Sequence, residues 1–153
     1  PVIVMSPEEK SFDQMLAYLD TIDNYTQIYD EEVDVVMYYI PDRLGEGDSI
    51  RQEDVVDVYY TGKLLDGRVF DSNVGENEPL QVTLGSNEVI MGWELGLPYF
   101  QKGGKGRLLI PHQLGYGEKG SLVKGTNKTS VPPFEALLFQ IEVVPDEVPG
   151  ETE

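Results

Sequence analysis

Behind Ser6-Pro7-Glu8-Glu9, the apolar residues Phe12, Met15, Leu16, Leu19 and Ile22 recur at a helical spacing. Ser6 suits the N-cap, Pro7 the first helical position, and Glu9 completes a capping box. The pattern predicts an N-terminal amphipathic helix that docks its apolar stripe. It dissolves at Asp23-Asn24. The acidic stretch that follows, through Asp30-Glu31-Glu32-Val33-Asp34, reads as a solvated linker, because it lacks the alternating ligands and central glycine of a calcium loop.

From Val35 the period changes. Val35-Val36-Met37-Tyr38-Tyr39-Ile40 is β-branched and aromatic, as a strand requires. In Val55 to Tyr60, Asp57 marks the wet face, which places Val56, Val58 and Tyr60 together on the buried one. Asp66-Gly67 predicts a turn into Arg68-Val69-Phe70. Leu80 to Leu84 alternates and stops at Gly85, Arg107 to Ile110 stops at Pro111, and the last strand puts Leu137, Phe139, Ile141 and Val143 on one side. Only Met91 to Leu97 looks helical in this region. The expected class is α+β, with one brief helix against an antiparallel sheet. The chain divides into a helical extension with its acidic linker over 1–34, a β-rich domain over 35–145 and an acidic tail over 146–153.

Composition narrows the function. The 153 residues suit one core, and the absence of cysteine excludes disulfides, zinc-thiolate sites and thiol nucleophiles. A net charge of −17 argues against a nucleic-acid partner. The acidity lies in the flanks: residues 1–54 carry 14 acidic and 3 basic side chains, whereas residues 55–144 carry 10 and 8. No apolar run approaches the ~20 residues of a membrane helix. The chain opens on Pro1 with an apolar PVIVM, which reads as a processed or trimmed chain and favours a bacterial cell envelope or periplasm over the cytoplasm.

Conventional catalytic machinery is thin. A Ser-His-Asp site would have to use His112, the sole histidine, which stands in a loop-like stretch and reads as exposed or locally bonded. Neither a metal site nor a cofactor is expected. Lys102-Gly103-Gly104-Lys105-Gly106 lacks the ending of a phosphate loop and reads as a tight turn. What remains is a set of aromatic residues at strand ends and helix starts: Tyr60, Phe70, Trp93, Tyr116 and Phe139.

The ordered runs VYYTGKLLDGRVFDSN, LGSNEVIMGWELGL, LLIPHQLGYG and VPPFEALLFQIEVV strongly resemble the FKBP family of peptidyl-prolyl isomerases, which bind macrolides such as tacrolimus. The resemblance spans roughly Val35 to Val144. It implies an antiparallel half-barrel wrapped around one short helix, with an apolar pocket between them. The catalytic lining it implies is Tyr60, Phe70, Asp71, Ile90, Trp93, Tyr116 and Phe139, with Leu80, Val89 and Val131 as further substrate contacts. Trp93 would form the floor under a proline ring, the Ile90 amide would donate to a bound carbonyl, and Tyr116 would offer its hydroxyl. The implied partners are proline-containing polypeptides and a macrolide, met by a monomer.

Three departures stand out. Glu76 occupies the place where an arginine commonly pairs with the aspartate, Leu80 stands for a phenylalanine, and the loop from Gly117 to Ser130 is longer and carries Lys119, Lys124 and Lys128. Three functions therefore stay open: an isomerase, a proline-segment binding module with negligible turnover, and a chaperone-like scaffold whose acidic helix holds the partner.

Overall fold

The computed structural model describes residues 4–122 and 129–146. The order of elements is α1 (Pro7–Leu19), β1 (Thr26–Asp30), β2 (Val35–Arg43), β3 (Glu46–Ser49), β4 (Val55–Leu64), β5 (Val69–Ser72) and β6 (Leu80–Thr83). Then come α2 (Met91–Gly96), β7 (Gln101–Lys102), β8 (Lys105–Ile110), β9 (Ser121–Leu122), β10 (Thr129–Val131) and β11 (Leu137–Val143). Lys124 and Lys128 of the long loop, the first three residues and most of the acidic tail lie outside the described residues.

The main sheet is antiparallel throughout and runs β1-β2-β8-β11-β4. The far edge of β4 is shared: β6 pairs with Val55–Val58 and β5 with Thr61–Lys63. The sheet is not closed, so it forms a half-barrel with α2 packed on one face, as the sequence leads one to expect. That face carries the main core, with Val56, Val58, Leu108, Ile110, Leu137, Phe139, Ile141 and Val143 all buried. Gly92 and Gly96 let α2 lie close on β8, since a Cβ at either would come within 2.6 Å of Ile110 or Leu108 side-chain atoms.

Helix α1 covers the opposite face. Ser6 Oγ accepts from the Glu9 N–H at 3.1 Å and the Glu9 carboxylate accepts from the Ser6 N–H at 3.4 Å, the expected capping box. Met15 and Leu19 are buried against Leu109, Ala136 and Leu138. The expected stripe is only partly docked, because Phe12 and Leu16 remain 57% and 42% exposed. The docked line is instead Ser11, Met15 and Leu19, four residues apart, and buried Ser11 turns its Oγ to the Ala136 N–H at 2.7 Å. A polar contact at the N-terminal end of the seam turns the helix away from the face that hydrophobicity alone selects.

The acidic linker is not one. Thr26–Asp30 forms β1 and pairs with β2 in register from Thr26↔Tyr39 to Asp30↔Val35. The residues Glu31 to Asp34 make the hairpin turn, in which Asp30 Oδ2 accepts from the Val33 N–H and Asp34 Oδ1 from the Tyr29 hydroxyl. His112 also differs from expectation. It is 7% exposed and its Nε2 meets Glu8 Oε1 at 2.8 Å, a partner 104 positions away. The glycine-rich stretch at 102–106 is the tight turn between β7 and β8.

Candidate active site

On the core face of the sheet, beside α2, lies a pocket of about 400 Å³ lined by Tyr60, Asp71, Leu80, Glu88, Val89, Ile90, Trp93, Tyr116 and Phe139. Tyr60 reaches it from β4 because the alternation that buries Val56 and Val58 continues one step further. Phe139 comes from β11, Trp93 from α2, Asp71 from β5, and Val89 and Ile90 from the connection into α2.

Four of the ring pairs meet edge to face, an arrangement their quadrupoles favour, while Tyr60 and Phe139 are tilted at 49° to each other. Tyr60 and Phe139 stand 5.1 and 5.3 Å from Trp93 by ring centroids, at 82° and 87°. Phe70 is 5.5 Å from Phe139 and 6.1 Å from Tyr116, again nearly perpendicular to each. Gly62 makes room for this stack, since a Cβ there would lie 2.6 Å from Phe70 Cζ and 2.8 Å from Phe139 Cε1. Phe70 thus buttresses Phe139 and Tyr116 rather than lining the cavity. Val131 is 1% exposed within the core and also stands behind the wall. The other eight residues singled out in the sequence are brought together.

The polar groups are few and acidic. The Tyr60 hydroxyl donates to Asp71 Oδ2 at 2.8 Å, so the aspartate is held by a phenol where a guanidinium was expected in relatives. Burial, then the hydrogen bond and charge of Asp71, push the Tyr60 phenol well above its ordinary range. Burial and the same carboxylate push Tyr116 up as well. Both phenols are therefore neutral donors at physiological pH. Ile90 spends its carbonyl on the Trp93 and Glu94 N–H groups, whereas its own N–H joins none of the backbone hydrogen bonds among the described residues.

Three polar residues carry structure here that no sequence motif announces. Glu88 lines the rim, with Oε1 accepting from Ser86 Oγ at 2.6 Å and from the Thr83 N–H at 3.2 Å. The serine contact is the first cause holding its carboxyl below the usual range. Glu94, buried under the same loop, accepts from the Gly85 and Asn87 N–H groups. Asn73 is buried; its Oδ1 accepts from the Tyr60 N–H at 2.7 Å and its Nδ2 donates to the Val58 carbonyl at 3.0 Å. A side chain that takes the place of a ladder partner in this way fixes the backbone on which Tyr60 sits. Asn73→Ala is expected to lower stability by about 1–2 kcal/mol in urea denaturation, the sum of two ordinary hydrogen bonds. An unchanged urea midpoint would mean that the backbone at Tyr60 does not depend on this contact.

A larger cleft of about 540 Å³ runs between the start of α1 and Pro111–Gln113. Acidic Glu8, Glu9 and Asp13 share it with Met5 and Phe12, and it has no walls of stacked rings. Among the described residues, no group of three or more His, Asp or Glu side chains is placed to hold a metal ion. No helix among them is long and apolar enough to cross a membrane.

A family model described as FKBP-type peptidyl-prolyl cis-trans isomerase matches residues 47–144. A probable FKBP-type peptidyl-prolyl cis-trans isomerase of Haemophilus influenzae is 43% identical over 109 residues, covering 71% of this chain and 42% of that protein. Human peptidyl-prolyl cis-trans isomerase FKBP2 is 42% identical over 94 residues, covering 61% of this chain and 62% of its own length. The chain thus spans less than two thirds of either curated relative. Among solved structures, a peptidyl-prolyl cis-trans isomerase from Pseudomonas syringae superposes with a TM-score of 0.72 at 26% identity, covering 94% of this chain and 97% of the other. FkpA from Escherichia coli gives 0.68 at 29% identity, covering 90% of this chain and 59% of the other. With the family match spanning residues 47–144, which carry the short helix and the ring-walled pocket, the chain belongs to the FKBP-type peptidyl-prolyl cis-trans isomerase family.

Proposed function

We propose that this chain is an isomerase of X-Pro bonds in polypeptides and that the pocket over Trp93 is where it acts. The observation that carries the reading is a cavity of about 400 Å³ walled by the rings of Tyr60, Trp93, Tyr116 and Phe139, roomy enough for a prolyl segment. Rotation about a peptide bond faces a barrier of ~18–20 kcal/mol because resonance gives the C–N bond double-bond character. X-Pro bonds exchange in roughly tens to hundreds of seconds unaided. No covalent step is needed to speed this up. The planar amide is the more charge-separated state, so moving it from water to an apolar cage raises it relative to the twisted state. The Ile90 N–H, the Tyr116 hydroxyl and the Asp71 carboxylate then supply contacts that hold the chain while the bond turns.

The same pocket would also bind macrolides that mimic a prolyl amide, and the chain would act as a monomer. A bacterial envelope address goes with this proposal; the relatives from Haemophilus influenzae and Escherichia coli support its bacterial part. The test is a protease-free isomerisation assay with and without tacrolimus. Turnover above background, abolished by the macrolide, is the expected result. Phe70→Ala and Asp71→Leu should each lower kcat/KM by roughly tenfold, the scale of a lost positioning contact. Background rates with Trp93 fluorescence still responding to ligand would replace the enzyme by a binding module.

A further inference from the structure

Helix α1 lies outside residues 47–144, yet it reaches the segment that carries Tyr116. The contact is His112. Its ring is buried, with Nε2 at 2.8 Å from Glu8 Oε1 on α1 and its plane edge-on to Phe134 at 5.2 Å. Phe134 itself stands at φ +63°, a strained conformation for a bulky side chain, and is held there while its N–H donates to the Gly117 carbonyl at 2.9 Å. The His112 carbonyl accepts two N–H groups, from Gly115 at 3.0 Å and from Gly117 at 2.8 Å. Those are the residues on either side of Tyr116. Both neighbours of Tyr116 therefore hang by their N–H groups on one carbonyl, and the side chain of that same residue is wedged between Glu8 and Phe134. A second tie, the Ala136 N–H to Ser11 Oγ at 2.7 Å, joins α1 to the segment just after Phe134.

We propose that α1 is a brace for the pocket, with Glu8 as a positioning residue that acts through His112 to hold Tyr116 over the bound proline. The proposal rests on the isomerase reading of the pocket for its consequence, though not for its geometry. A loop left free before substrate arrives must be ordered on binding, and that entropy is taken from affinity. Loosening the brace thus raises KM and leaves the bond rotation itself nearly untouched. The extension is in this way part of the site without touching substrate.

The test uses the full chain with Glu8→Ala and Glu8→Gln. By amide hydrogen exchange without substrate, Glu8→Ala is expected to speed exchange at Gly115 and Gly117 roughly three- to tenfold, the span of one lost hydrogen bond, with the amides of β4 and β11 unchanged. Glu8→Gln keeps an oxygen for His112 Nε2 and should restore the wild-type values. On a proline peptide, Glu8→Ala should raise KM by a similar factor while kcat stays within about twofold. Unchanged exchange at Gly115 and Gly117 overturns the brace. So does acceleration spread evenly over β4 and β11, which would make the contact one of general stability, or a fall in kcat at constant KM. Should the wild type turn over no X-Pro substrate while the local exchange still changes, the brace stands and the isomerase reading falls.

Discussion

Trp93→Ala is expected to lower unfolding free energy by about 3–5 kcal/mol and to remove most of the proposed isomerase activity, because one side chain serves both the core and the pocket. The indole is 3% exposed and receives the edges of Tyr60 and Phe139. Truncation opens a cavity those two rings cannot close, since each is fixed by its own strand. The floor of the site goes with it, so the part of the barrier reduction that depends on an apolar cage is lost. Trp93→Phe separates the two roles. It keeps an aromatic face, and Trp93 Nε1 has no hydrogen-bond partner among the described residues, so no bond is broken. Its stability cost should be about 1–2 kcal/mol, a void rather than a lost anchor. Urea unfolding followed by circular dichroism measures the first quantity and the isomerisation assay the second. Wild-type kcat/KM in a folded Trp93→Ala protein would move the chemistry out of this pocket altogether.

Much of the fold was open to reading because its strands bury one face and wet the other. Val56, Val58 and Tyr60 fall on the core side as their alternation requires, and Gly67 takes φ +97° at the turn that Asp66-Gly67 marks. The strand β1 escaped because it is an edge strand with Ile28 as its one buried residue, so alternation has a single apolar beat to show. Helix α1 showed its existence and its start, but the face it docks is set by Ser11, whose value comes from a backbone N–H 125 positions away. His112 fails for the same reason. A lone histidine in a glycine-containing loop carries no local sign that a helix more than a hundred residues earlier will close over it.

The site divides along that line. Its apolar members, Tyr60, Ile90, Trp93 and Phe139, are visible because their run order and spacing repeat those of a family. The polar residues that hold them, Asn73, Glu88 and Glu94, bond mainly to main-chain atoms and to a single serine, and backbone partners leave no trace in side-chain patterns. Glu76 was expected to leave Asp71 without its usual partner, and Tyr60 turns out to supply the hydrogen bond instead. The ring that lines the cavity and the group that orients the carboxylate are one residue.

Glu94→Gln, a change of one atom, is expected to lower stability by about 3 kcal/mol and to raise KM, a larger effect than its size suggests. Glu94 is 7% exposed on α2, and its two oxygens are both acceptors: Oε1 takes the Gly85 N–H at 2.7 Å and Oε2 the Asn87 N–H at 2.9 Å. Gly85 and Asn87 stand at φ +94° and +61°, left-handed values that suit these two residue types, and the Glu94 carboxylate bonds the N–H of each in the turn leading to Val89 and Ile90. A carboxylate can satisfy both donors. A glutamine can satisfy one and must set its NH2 against the other, since rotating the amide only exchanges which N–H is opposed. The turn then opens, and Ile90 loses its fixed position at the pocket rim. Glu94→Ala should cost a comparable amount by leaving both N–H groups unpaired but unopposed. Urea denaturation of the two variants beside KM measurements on a proline peptide decides the matter. A Gln variant as stable as wild type would show that one N–H suffices to hold the turn, and equal KM values would cut the link between α2 and the rim of the site.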